Sequence, residues 1–347
     1  MRKIICLMIA LSLVLTFSFA MMGEAVQASE YVRVGTAGEG GNYYMLGGAF
    51  STIWNEYFDV EDPEDIPDGF YERPIMSTIQ ATQGSPHNVE LVSTGQVELA
   101  FGLAEPVYAG YHHEGQFEDR EYLETDNQKF IGYLYPNPYW FVVMDWAEDD
   151  IDSLEDVVGH RISVGMTGSS GEMAWREIMD YYGWTYDDVD EQFTVHGEAI
   201  DQVRDRRIDV TVWPDAPGSP SYMEIFDTGY ANAYSYPEEV IEYMTEGNLR
   251  EPTTIPAGSV DGQEEEFEAF MDPAIMIANE DLDDEIAYNI TKAIYEFQEE
   301  YSEIFPLADF LDAEVAHRGQ PVPLHDGAAE YYEEIGVLEN FEPHPAP

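Results

Sequence analysis

The chain has 347 residues, 70 of them Asp or Glu against only 14 Lys or Arg, for a formal net charge of −56 at pH 7. Hydrophobic residues make up 44% and aromatic residues 14%, so the acidity is not that of an intrinsically disordered chain. Sparse basic residues argue against a nucleic-acid partner, and a single cysteine, Cys6, argues against a disulfide scaffold.

Arg2 and Lys3 precede an apolar run over residues 4–22, and small residues follow up to Ala28. This pattern predicts a secretory signal peptide cut near Ala28. An uncleaved membrane anchor is the competing reading, since about 20 apolar residues suffice to span a bilayer. Cys6 lies inside this segment, so no lipid anchor is expected and the remainder has no thiol chemistry. The expected location is extracytoplasmic, either secreted or periplasmic. About 319 residues remain, enough for one large or two medium domains with filled cores. Their acids are spread along the whole length. Such a chain repels itself at low salt, and molar salt contracts the Debye length to about 3 Å. We therefore expect adaptation to high salt, with binding of cations or basic partners as the alternative.

Residues 30–37 read as a strand running into "GTAGEGGNYYMLGGAF", where six glycines fall between positions 35 and 50. Leu46, Phe50, Ile53 and Trp54 then recur at helical spacing. Residues 76–105 read as strand, turn, helix, turn and strand, with the helix from Ser85 to Ser93. Residues 129–144 form an apolar, aromatic strand with a turn. "RISVG" enters a second small-residue loop, "MTGSSG", followed by a helix bearing Met173, Ile178, Met179 and Tyr182. Helix, strand, loop and helix recur over 199–229. A long amphipathic helix is expected over 281–305, and a last helix near 324–337. This alternation predicts an α/β fold with parallel sheets. Two strand–small loop–helix units about 130 residues apart suggest two similar lobes.

A strand that enters a helix through small residues leaves free backbone N–H groups at the positive end of the helix dipole. Three such anion sites are expected, at residues 38–44, 84–88 and 167–171. Backbone amides can hold a carboxylate without arginine, which suits a chain so poor in cations. The first loop lacks the Lys-Ser/Thr of a P-loop, and Tyr43 stands where a dinucleotide fingerprint needs its third glycine. A structural turn remains the plain alternative. "GSSGE" lacks the final glycine of a nucleophile elbow. No H-E-x-x-H occurs, and "DVEDPEDIPDG" lacks calcium-loop spacing. No catalytic residue, metal site or cofactor is therefore assigned. In "TVWPDAPGSPS", Trp213 could flank a ligand and Ser219 could donate to it, or the segment is a Pro-rich turn with a packed indole.

In register, six segments resemble the TAXI family of extracytoplasmic solute receptors, which serve TRAP transporters. They are "VGTAGEGGNYYMLGGAF", "QGSPHNVELVSTGQVELAF", "LEDVVGHRISVGMTGSSGEMAWREIMDYYGW", "DVTVWPDAPGSPSYMEIFDTG", "TTIPAGSVDGQEEEF" and "PLHDGAAEYYEEIGV". Asn42 and Met45 depart from the Thr and Pro that often flank the family's tyrosine pair. Gly168-Ser169-Ser170-Gly171 departs from its usual Gly-Ser-Gly. The resemblance implies a two-lobed, type II periplasmic-binding-protein-like clamshell, each lobe a mixed sheet flanked by helices. It places lobe I at residues 30–140 plus 255–347 and lobe II at 141–254. A small carboxylate (an amino acid, oxo-acid or dicarboxylate) would sit between them. Gly41, Asn42, Tyr43 or Tyr44, Ser85 and Asn88 would contact it from one lobe. Thr167, Ser169, Ser170, Gly171 and Trp213 would contact it from the other. One tyrosine of the pair would turn into the core. The implied partner is a sodium-coupled TRAP permease, and the receptor itself is expected to be a monomer. A ligand-sensing partner of a membrane receptor kinase and a secreted hydrolase are the other readings.

Overall fold

The structure, a computed structural model, describes residues 29–247 and 249–341; the expected signal peptide lies outside the described residues. β1 (Glu30–Gly35) leads into α1 (Asn42–Phe58), β2 (Ile75–Gln80) into α2 (Ser85–Ser93), and β3 (Leu99–Leu103) into α3 (Ala104–Tyr111). The long β4 (Gln128–Pro138) is followed almost at once by β5 (Phe141–Met144). β6 (Arg161–Gly165), α4 (Ser170–Tyr182), β7 (Asp190–Phe193), α5 (His196–Arg204), β8 (Val210–Thr211) and α6 (Pro220–Phe226) come next. β9 (Ala231–Tyr234) and α7 (Glu238–Thr245) precede β10 (Glu251–Ile255) and β11 (Phe267–Asn279). The chain then forms α8 (Asp284–Glu296), α9 (Gln298–Ile304) and α10 (Asp326–Glu334). No helix among the described residues is long and apolar enough to cross a membrane.

Two mixed sheets flanked by helices make a two-lobed α/β fold. The first sheet runs β10-β11-β3-β1-β2, with β4 added on β11; the second runs β7-β6-β8-β5-β9. The expectation of parallel sheets holds for β1, β2 and β3, and for β6, β7 and β8. It fails around β11, which pairs antiparallel with β3, β4 and β10, and around β5, which pairs antiparallel with β8 and β9. "FEAFMDPAIMIAN" carries no helix-spaced punctuation and is buried at nearly every position. A strand buried on both faces shows a continuous apolar run rather than an alternating one. β11 also joins the lobes. Phe267, Ala269 and Phe270 pack in the second core, whereas Ala274, Met276 and Ala278 pack in the first.

Two helix boundaries differ from the sequence reading. α1 begins at Asn42, so the tyrosine pair occupies its first turn rather than the loop. The expected helix over 281–305 breaks at Phe297, whose backbone leaves helical geometry (φ −97°, ψ 25°). The Phe297 ring is held 4.5 Å from Tyr57 and 5.5 Å from Phe70, while Tyr301 turns to accept the Trp54 indole N–H at 2.9 Å. Aromatic anchoring to α1 thus overrides continued helix. Among the glycines, Gly47 answers to packing: a Cβ there would meet Thr36 Cγ2 at 2.8 Å, so α1 lies close on β1.

Asn88 is a brace inside this layer. Fully buried in α2, its Nδ2 donates to Thr36 O at 2.6 Å, Phe101 O at 2.8 Å and Gly35 O at 3.4 Å. One amide thereby fixes the helix to the ends of β1 and β3. Truncating it strands buried polar groups, at about 1–3 kcal/mol. Asn88→Ala is therefore expected to lower unfolding stability by that order in denaturant titrations at high salt; an unchanged midpoint would remove the bracing role.

Candidate functional site

The strand ends of both sheets converge on one cavity of about 110 Å³. Its wall is drawn from the β1–α1 loop, the β2–α2 loop and β4 on one side. The β6–α4 and β7–α5 loops and the segment after β8 complete it from the other. Ligand clefts of open α/β sheets lie at such carboxyl ends, where the connecting loops are free to diverge.

Four helix starts border the space: Gly41 to Tyr43 on α1, Gly84 and Ser85 on α2, Ser169 to Gly171 on α4, and Val195 and His196 on α5. α1, α2 and α5 have no side-chain cap, so their first N–H groups are not consumed by their own N-cap residues. On α4, Ser169 Oγ accepts from Glu172 N at 3.4 Å. Gly84 and Gly168 turn with φ of 90° and 75°, the left-handed region that favours glycine, and so aim the helices they precede. Gly171 has no room for a side chain, because a Cβ would lie 2.7 Å from Val164 O and 3.1 Å from Trp213 Cβ.

The structure brings Gly41, Asn42, Tyr43, Ser85, Ser169, Ser170, Gly171 and Trp213 to the wall. Tyr43 stacks on Phe101 with ring centroids 5.1 Å apart, and its hydroxyl lies 3.4 Å from Ser85 Oγ. Ser85 Oγ also accepts from Leu103 N at 2.9 Å. Burial pushes the Tyr43 hydroxyl well above its ordinary pKa, so it stays a protonated donor. Ser170 is buried, and its carbonyl accepts from Tyr139 Oη at 3.4 Å. Three expected residues are not on the wall. Tyr44 is half-buried outside it, Thr167 is exposed at the loop tip, and Asn88 lies beneath as the brace described above. Ser219, a possible donor by sequence, caps α6 and donates to Asp215 instead.

Residues the sequence reading passed over complete the lining. Tyr135 and Asn137 come from β4, and Thr194 and His196 from the β7–α5 junction. Tyr135 Oη and Trp213 Nε1 are buried donors with no hydrogen-bond partner among the described residues. Trp213 is held between His196, at 4.8 Å, and Tyr222, at 5.4 Å, both nearly parallel to it. Burial lowers the pKa of His196 to about 4, so its ring is neutral near pH 7. No Lys or Arg lines the cavity among the described residues; Glu39 stands exposed on its rim. The signal that could have found His196 is a fourth strand–loop–helix junction, "EQFTVHGEAI", but it lacks the run of small residues that flagged the others.

The lobes touch across this cleft. Asn42 Nδ2, at the first turn of α1, donates to the carboxylate of Asp215, which follows β8. Asp215 also accepts from Ser219 Oγ and from Ala216 N at 3.1 Å. Burial outweighs these donors and raises its pKa to about 7. Farther along, Arg250, 1% exposed, donates to Glu177 of α4 at 2.5 and 2.9 Å and lies 3.9 Å from Asp272 of β11.

Solved structures resemble this chain at low identity. A protein from Bordetella bronchiseptica superposes with a TM-score of 0.52 at 14% identity, covering 91% of each chain. The alkanesulfonate-binding protein SsuA from Xanthomonas axonopodis pv. citri, bound to MOPS, gives 0.46 at 12% identity, over 91% of this chain and 96% of that one. A putative L-cystine ABC transporter protein from Listeria monocytogenes gives 0.45 at 11% identity, over 84% and 99%. The first of these likenesses, with a TM-score above 0.5, shows the fold. The family is shown by the sequence itself: residues 34–336 match the NMT1-like family, and the chain belongs to it.

Proposed function

We propose that this protein is an extracytoplasmic solute receptor that captures a small organic anion between its lobes and hands it to a membrane permease. The observation that carries the reading is the convergence of four helix N-termini, from both sheets, on one interlobe cavity. Partial positive charge at helix starts favours an anion. Lobes joined by a few strand crossings can close around it. The crossing strands lie where Tyr139 N donates to Phe270 O at 2.9 Å, near the proposed boundary at 140.

The six segments that resemble TAXI receptors support the finer assignment, with a sodium-coupled TRAP permease as partner and a small carboxylate as cargo. The segment over residues 4–28 supports export. The imbalance of 70 acids over 14 basic residues supports a high-salt setting, in which the charge is screened. Gly41, Asn42, Tyr43, Ser85, Ser169, Ser170, Gly171 and Trp213 are the proposed ligand contacts. Tyr44, Thr167 and Asn88 act, in this reading, from outside the cavity.

Thermal unfolding in about molar salt, against a panel of amino acids, oxo-acids and dicarboxylates, tests the reading. Stabilisation grows as RT ln(1 + [L]/Kd), so a true ligand at about 100 Kd adds about 2.7 kcal/mol. At least one strong hit is expected; a panel in which no solute shifts the transition sinks the proposal. A second measurement concerns His196, which is kept neutral so that the pocket carries no cation of its own. Its pKa is about 4 folded against 6.5 in the open chain. Between those values the unfolded chain takes up a proton that the native site refuses, so the residue's contribution to stability falls as pH drops. The stability of the wild type relative to His196→Gln is therefore expected to decline from pH 6.5 toward pH 4. A pH-independent difference would show that the imidazole is not held neutral.

A further inference from the structure

The four helix starts around the cavity are not equivalent. Resting on the receptor reading, we infer that an anionic group of the solute seats on the first lobe, where the starts of α1 and α2 meet at Tyr43 and Ser85, and that the second lobe closes over the remainder of the molecule.

Charge in the first turns separates the two lobes. Neither α1 nor α2 carries an acid there. α4 and α5 each do: Glu172 and Glu198 both stand at the third helical position. Glu172 is 1% exposed and turns back on its own helix start, where its Oε2 accepts from Gly168 N at 2.9 Å. Arg176 and Tyr186 donate to the same carboxylate. Arg176 balances its charge without freeing the helix start. A carboxylate in the first turn already answers the partial positive charge that would draw a solute's carboxylate to that place. Glu198 is exposed and sets a further negative charge at the start of α5.

The first-lobe starts are also joined to one another. Tyr43 belongs to the first turn of α1 and Ser85 to that of α2, both line the cavity, and their hydroxyl oxygens lie 3.4 Å apart. The two residues are 8% and 2% exposed. Ser85 Oγ also accepts from Leu103 N at 2.9 Å. Two O–H donors share one mutual contact, so one of them has no acceptor among the described residues. A buried donor left over costs free energy, and a solute oxygen at this junction removes that cost. Two carboxylates come near without taking the place. Asp215 meets α1 through the Asn42 side chain rather than through backbone N–H groups, and Glu39 is exposed on the rim. The second lobe presents the Trp213–His196 stack, whose imidazole is neutral near pH 7, to the rest of the solute.

Moving a charge between the lobes tests the inference. His87 is the third helical residue of α2, and burial lowers its pKa, so it is neutral at pH 7. Glu at this position favours the helix itself. It can also accept from Gln83 N, as His87 Nδ1 does at 3.3 Å. Isothermal titration at pH 7 in molar salt compares wild type with His87→Glu, Tyr43→Phe and Glu198→Gln. The probe is whichever of pyruvate, succinate, 2-oxoglutarate and glutamate binds wild type most tightly. His87→Glu is expected to weaken that probe about threefold or more, with no fall in the unliganded melting temperature. Tyr43→Phe is expected to weaken it at least about fivefold. Glu198→Gln is expected to change it by less than about twofold. An affinity gain in Glu198→Gln as large as the loss in His87→Glu overturns the inference and leaves the receptor reading standing. So does an affinity that neither first-lobe variant moves. Binding of none of the four probes by wild type overturns the receptor reading for carboxylates together with the inference.

Discussion

Asp215 sits where every part of this architecture meets, and only 3% of it reaches the surface. Its carboxylate accepts from Asn42 of the first lobe and from Ser219 and Ala216 of the second. Its backbone N–H donates to Pro138 O at 3.0 Å, where β4 ends, and its carbonyl accepts from the Trp140 indole at 2.8 Å. One residue thus ties the crossing strand, the floor of the second lobe and the first turn of α1 together. A buried carboxylate is tolerable only when its lone pairs are met, and a first lobe that swung away would remove one donor. This contact holds the first turn of α1 against the second lobe at the edge of the cavity.

Around that contact the wall of the cavity offers dipoles rather than cations. The chain carries 14 basic residues in all. Several of them tie acidic segments together: Arg73 reaches Glu30, Asp283 and Glu285, Arg161 reaches Asp209, and Arg250 reaches Glu177. Oriented N–H groups and hydroxyls line the cavity instead. Fixed dipoles are already oriented and need no counter-charge, which matters in a chain whose long-range field is strongly negative.

Much of the site was legible because it rests on local chemistry. Small residues between a strand and a helix expose backbone donors wherever they occur, so Gly41, Ser85, Ser169 and Gly171 could be picked out along the chain. The periodicity that marked α1 and α4 is equally local. Asn88 was legible as important but not as what it is. Whether an amide faces a ligand or three carbonyls depends on which strand ends lie above it. Tyr135 sits in an apolar aromatic strand where alternate residues look alike, and only the pairing of β4 with β11 selects the face that meets the cleft. β11 escaped notice because a strand buried on both faces shows no alternation.

By itself, then, the sequence determined the α/β alternation, the acidic surface and the loops that aim backbone donors. Each is a property of neighbouring residues or of bulk composition. The tertiary structure alone decided which side chains share the cavity, that its donors are neutral, and that Asn42 and Asp215, 173 positions apart, form one hydrogen bond. Such long-range partners are fixed by how strands order within two sheets and by how those sheets are joined, and no local spacing encodes that order.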